Sequence, residues 1–166
     1  RAEALRVYKA SIDAARTLGL KWVRPLPRNE TPDMDLHVSA YRELIDYAGE
    51  RGITVLIENF GWMMSDPDSI VTLKDLIGSD DVAVGLDTGN WSDNEVRYSA
   101  LEKSFPLAVT CDFKAKTMRE DGSHPAYDLK KCFEIGWESD FEGPWCFEHA
   151  NRDWKSMLKE IRLLRE

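Results

Sequence analysis

The feature that most constrains this chain is an alternation repeated five times: a stretch with helical apolar spacing, then a short apolar run, then punctuation. Leu5, Tyr8, Ile12, Ala15 and Leu18 mark the first helical face, with Gly19 as its stop and "LKWVRPLP" as the following strand. Val38, Tyr41, Leu44, Ile45 and Ala48 mark the second, leading to "ITVLIENF". The third pairs Asp66 and Pro67 as N-cap and first turn, continues through Ile70, Leu73, Leu76 and Ile77, stops at Gly78 and delivers "VAVGLDTG". "DNEVRYSALEKS" precedes "LAVTCDFKAK", and "YDLKKCFEIG" precedes "GPWCFEH". A closing helix is expected with Trp154, Met157, Leu158, Ile161 and Leu164 turned inward.

Strands that are short and almost continuously apolar are buried on both faces, as in parallel sheets covered by helices. The pattern therefore predicts an α/β fold, either an open doubly wound sheet or a closed barrel. No G-x-G-x-x-G follows any strand, so the dinucleotide variant lacks its phosphate turn. With 166 residues and 43% hydrophobic content, residues 1–166 suit one domain with its own core.

The bulk charge narrows the function. A net charge of −8 disfavours general binding to nucleic-acid phosphates, which needs a basic surface. No apolar run reaches the length of a membrane span. Cys111, Cys132 and Cys146 form no C-x-x-C pair, and an odd number argues against a disulfide framework, so a cytoplasmic location is expected.

The strands end alike. Glu58 closes the second ("LIENF"), Asp87 the third ("GLDTGN"), Asp112 the fourth ("TCDFKAK") and Glu148 the fifth ("CFEHA"). A single acid after a strand is ordinarily a turn or cap residue, and acids number 30 in this chain. Four at the same end, each behind an apolar run, are harder to assign to caps, and Glu is a poor N-cap. In parallel sheets and barrels that end carries ligands and chemistry. Four converging carboxylates would repel one another, and a divalent cation resolves the conflict. All-oxygen ligands favour Mg, Mn or Ca over Zn.

The order of "IEN", "LDTGN", a strand of the V-x-x-D-x-K kind and a final "FEH" resembles the sugar isomerase/epimerase superfamily of xylose isomerase-like TIM barrels. The resemblance runs from the first helix to the last. It implies a metal site of Glu58, Asp87, Asp112 and Glu148 holding Mn or Mg. It also implies that Glu58 and Glu148 act as an acid/base pair on opposite faces of a sugar or polyol. Two positions depart from the family pattern. Asp112 stands where a His is usual, making the site harder and more anionic, and Asn90 stands where another His contacts substrate.

Around these residues, Lys114 and Lys116 are candidates to bond a sugar oxygen or phosphate, against the plainer reading of solvated loop lysines. Arg119 loosely matches a family arginine. Trp62 and Trp91 could stack on a sugar ring or simply pack under the helices. Asn59 is a plausible polar pocket residue, while His149 should alternate away from Glu148. A (βα)8 barrel needs about 250 residues. The expectation is therefore an incomplete barrel of about five strands lacking the first three βα units. The expected reading is a fragment of a larger barrel; the alternative is a reduced domain, whose two open sheet edges homo-oligomerisation could relieve. Three functions compete: a metal-dependent sugar isomerase or epimerase, a non-catalytic sugar-binding module, and a phosphodiester-cleaving enzyme, the last disfavoured by three His and the acidic charge.

Overall fold

Each sequence unit folds as a helix running into the strand that follows it. In chain order these are α1 (Ala2–Thr17), β1 (Trp22–Val23), α2 (Met34–Gly49), β2 (Thr54–Ile57), α3 (Ser69–Ile77), β3 (Val82–Asp87), α4 (Asn94–Ser104), β4 (Ala108–Lys114), α5 (Leu129–Glu138), β5 (Trp145–Glu148) and α6 (Trp154–Arg165). Short 3-10 turns at Gly61–Ser65 and Phe105–Leu107 complete the elements. The computed structural model describes residues 1–27, 33–116, 118–119, 121–149 and 154–165.

All neighbouring strands pair in parallel, in the order β1-β2-β3-β4-β5. Sequential order without a reversal is the barrel topology rather than the doubly wound one, whose strand order changes direction at a switch point. The five strands curl into a half-barrel with helices outside. Val55, Ile57, Val84 and Leu86 from the strands and Ile12, Ile70, Leu73, Ala100, Leu101 and Cys132 from the helices have no exposed surface. This layer between helices and sheet fixes where the strand ends point.

Helix starts explain why the strand-end acids are not caps. The Oδ1 atoms of Asp33, Asp93 and Asp128 accept from the amides of Leu36 (2.9 Å), Val96 (2.9 Å) and Lys131 (3.1 Å), and so cap α2, α4 and α5. Four details differ from the sequence reading. The third helix starts at Ser69 rather than at Asp66-Pro67, because Asp66 Oδ1 accepts from the Asp68 amide (2.9 Å) and spends itself on a turn. Leu18 is 72% exposed, since α1 ends at Thr17 and Gly19, at φ +69°, turns the chain away. Leu76 is likewise exposed. On α6 the expected inward face is mostly open: Trp154, Met157 and Leu158 are exposed, Ile161 is half-buried, and the side chain of Leu164 lies outside the described residues. Helical periodicity locates an apolar face but not what covers it.

Candidate active site

A cleft of about 360 Å³ opens at the C-terminal ends of the strands. Its walls include Arg24, Glu58, Asp87, Asn90, Asp112, Lys114, Lys116, Cys146 and Glu148. Each lies within two residues of a strand's C-terminal end or in the turn after it, so the helix–strand core sets their spacing.

Asp87, the last residue of β3, is 1% exposed. Its Oδ1 accepts from the amides of Gly89 (2.7 Å) and Asn90 (3.0 Å), which folds the "DTGN" turn back under the carboxylate. Its Oδ2 meets Lys114 Nζ at 2.5 Å. Asn59, fully buried, braces that turn: its Oδ1 accepts from the Asp87 amide (2.9 Å), and its Nδ2 donates to the carbonyls of Asp87 (2.9 Å) and Asn90 (3.0 Å). Asn59 is thus a scaffold for Asp87.

Glu58 leaves β2 directly into the cleft and is 3% exposed. Its Oε1 accepts from Asn90 Nδ2 at 3.2 Å. Its Oε2 has no hydrogen-bond donor, although the Nε of Arg24 stands 2.7 Å away as an off-axis ion-pair contact. Burial, opposed by Arg24 and reinforced by Asp87 and Asp112, pushes the Glu58 carboxyl up to about 7. Burial also lifts Asp87 to about 6 against the pull of Lys114.

Single carboxylate oxygens of Glu58, Asp87 and Asp112 all lie within 4.8 Å of one another. Glu148 is not in that cluster. Strand register explains the separation: Asp87 sits opposite Asp112, but Asp112 faces Cys146, and Glu148 faces Lys114. Glu148 therefore stands two residues beyond the level of Asp112. There its oxygens take Lys114 Nζ (2.8 Å) and Lys116 Nζ (3.1 Å). Burial acts to raise the Glu148 carboxyl, but the two lysines outweigh it and hold it below the ordinary value. Of the four acids proposed as metal ligands, three converge and the fourth is set off behind a lysine.

The three converging carboxylates suit a divalent cation. They offer hard oxygen donors and an orphaned buried oxygen, Glu58 Oε2. Such a set fits Mg or Mn.

Lys114 is no loop lysine. It ends β4, is 8% exposed, and bridges Asp87, Glu148 and Asn90 Oδ1 (2.7 Å). A Cβ at residue 89 would sit 2.5 Å from Lys114 Cδ and 2.7 Å from the Tyr127 hydroxyl, so Gly89 leaves the channel through which that side chain passes. Lys116, half exposed, reaches only Glu148 among the described ion pairs.

The aromatic and arginine candidates fall elsewhere. Trp62 is buried and donates from Nε1 to His37 Nε2 (3.1 Å), a packing role at the α2 face. Trp91 is 4% exposed within the core. Neither lines the cleft, and both are packed in the core. Arg119 is also outside the lining, where its Nη1 donates to Ser123 Oγ at 3.3 Å.

One residue of the site was missed. Arg24, just past β1, contacts Glu58 and also pairs through Nη1 with Asp112 Oδ2. The signal was present in "WVRP": a cation behind an apolar pair, at the same strand end as the acids.

Comparison with known proteins agrees with this architecture. The family model described as "Xylose isomerase-like TIM barrel" matches residues 1–166. No curated protein matches the sequence. Among solved structures, a xylose isomerase domain protein from Planctomyces limnophilus superposes with a TM-score of 0.75 at 17% identity, covering 99% of this chain and 65% of its own. A D-allulose 3-epimerase from Methylomonas sp. gives 0.70 at 16% identity, covering 89% and 56%. A xylose isomerase-like TIM barrel protein from Mycobacterium smegmatis, in complex with magnesium, gives 0.66 at 20% identity, covering 97% and 65%. The chain thus spans less than two thirds of these structures, and at such identities the likeness is one of fold.

Proposed function

The chain belongs to the xylose isomerase-like TIM barrel family, and from that premise we propose that it serves as a divalent-metal-dependent isomerase or epimerase of a sugar or polyol. The observation that carries this reading is the meeting of Glu58, Asp87 and Asp112 at the strand ends, with Glu148 across the same cleft. A D-allulose 3-epimerase and a magnesium complex among the structural neighbours support the substrate class and the ion class.

In this reading Glu58, Asp87 and Asp112 hold Mn or Mg, which when bound polarises the sugar oxygens beside the reacting carbon. Glu148, outside the three-carboxylate cluster, serves in this reading as the base that takes the proton from that carbon. Lys114 and Lys116 keep it in the carboxylate form that a base needs. Glu58 faces the opposite side and returns a proton. Asn90 and Lys114 supply an amide and an ammonium to sugar hydroxyls, and Phe60 and Phe147 add apolar surface to the cleft. Residues 1–166 act in this scheme as one domain.

The test is interconversion of a panel of ketopentoses and ketohexoses with Mn present. Turnover is expected, and Glu148→Gln should lower kcat by about 10² to 10⁴ while the fold persists. Absence of turnover with any member of the panel, or a Glu148→Gln variant of native activity, contradicts the reading.

One observation favours a second reading. Arg24 and Lys114 already neutralise part of the acidic cluster, as they would in a sugar-binding module that performs no chemistry. That reading requires binding of a sugar without turnover and without a metal requirement.

A further inference from the structure

Arg24 occupies the place where a cation is wanted. Its Nε stands 2.7 Å from Glu58 Oε2 and its Nη1 pairs with Asp112 Oδ2, so one guanidinium spans two of the three converging carboxylates. The remaining oxygen of Glu58 is taken from the far side by Asn90 Nδ2. A dication among these carboxylates would meet the guanidinium at close range, in a pocket where Glu58 and Asp87 are 3% and 1% exposed and screening is weak. Guanidinium and dication would therefore compete for the charge of the same two carboxylates.

The structure also leaves Arg24 a way out. Its side chain is 36% exposed at the cleft wall. The backbone beneath it is pinned: Pro25 follows directly, and the Leu26 amide donates to the Tyr8 hydroxyl at 3.0 Å. Release therefore needs only side-chain rotation. The contact to Glu58 is itself off the hydrogen-bond axis, leaving Oε2 without a true donor.

Resting on the metal-dependent reading above, we propose that Arg24 is an exchangeable internal counter-ion. It holds Glu58 and Asp112 together when no metal is bound, and a divalent cation must displace it, so Arg24 sets the affinity of the site. The displaced guanidinium swings away from the carboxylates through its exposed side.

Calorimetric titration of Mn²⁺ into the metal-stripped chain and into Arg24→Gln tests this. Mn²⁺ is expected to bind Arg24→Gln at least tenfold more tightly than the native chain, while the metal-free variant melts at a lower temperature. Arg24→Lys carries one point charge that cannot span both acids, so its affinity should fall between the two. It also serves should Arg24→Gln fail to fold. Native Mn²⁺ binding with equal or weaker binding in both variants overturns the exchange and leaves the metal reading standing. No Mn²⁺ binding in any of the three overturns both.

Discussion

Glu58 shows what a single residue contributes. Burial of its carboxyl is incompletely offset by Arg24, and its proton is therefore held up to about 7, against 4.5 for the free group. A carboxyl that binds its proton more tightly when folded stabilises the fold below its unfolded value, and that stability is lost as pH rises through the folded value. The metal-free chain should then lose stability between pH 5 and pH 8, by on the order of 3 kcal/mol from this group. Melting temperatures across that range, compared with Glu58→Gln, check it: the native slope should be steeper and downward. A native slope equal to that of the variant contradicts the assigned strain. Residue identity at the site was largely legible, since strand-end acids announce themselves in "IEN", "LDTGN" and "FEH". Their partners were not. Arg24 lies 34 residues before Glu58 and 88 before Asp112, and only the curl of the sheet brings it to both. Asn59, read as a pocket residue, instead supports the Asp87 turn with three hydrogen bonds.

At the scale of elements, the five helix–strand units follow from the periodicity of apolar residues, and the parallel sheet follows from strands apolar on both faces. Register does not. Whether Glu148 stands beside Asp112 or beyond it depends on the pairing of β4 with β5, which places Lys114 opposite Glu148. Short sequence runs carry no such offset. The turn after β3 is the element most sensitive to substitution. Gly89→Ala would drive a methyl group to 2.5 Å from Lys114 Cδ and 2.7 Å from the Tyr127 hydroxyl. Overpacking of this kind costs about 1–3 kcal/mol, and Lys114 must leave Asp87 to relieve it. Denaturant unfolding should show that loss of stability, accompanied by weaker ligand binding in the cleft. A Gly89→Ala chain with native stability would mean that Lys114 does not pass through this channel.

Across the whole molecule, the order of strands turns local patterns into a site. A sheet that adds each new strand beside the last gathers β1 to β5 around one axis, so Arg24, Glu58, Asp87, Asp112, Lys114 and Glu148 line the same cleft. The charges are nearly balanced there, with four acids facing Arg24, Lys114 and Lys116. That balance offsets much of the repulsion among the four carboxylates. Trp62 and Trp91 belong to the core instead. Among the described residues no helix is long and apolar enough to cross a membrane.

The central claim is that two glutamates move a proton on and off a sugar carbon. Incubating the chain in D₂O with Mn²⁺ and a ketose, and following the carbon-bound hydrogen beside the carbonyl by NMR, tests this most directly. The account predicts deuterium entering that position with Mn²⁺ present, and its loss in Glu148→Gln. Retention of the hydrogen in a chain that binds both Mn²⁺ and the sugar would contradict it and leave a cleft that binds without chemistry.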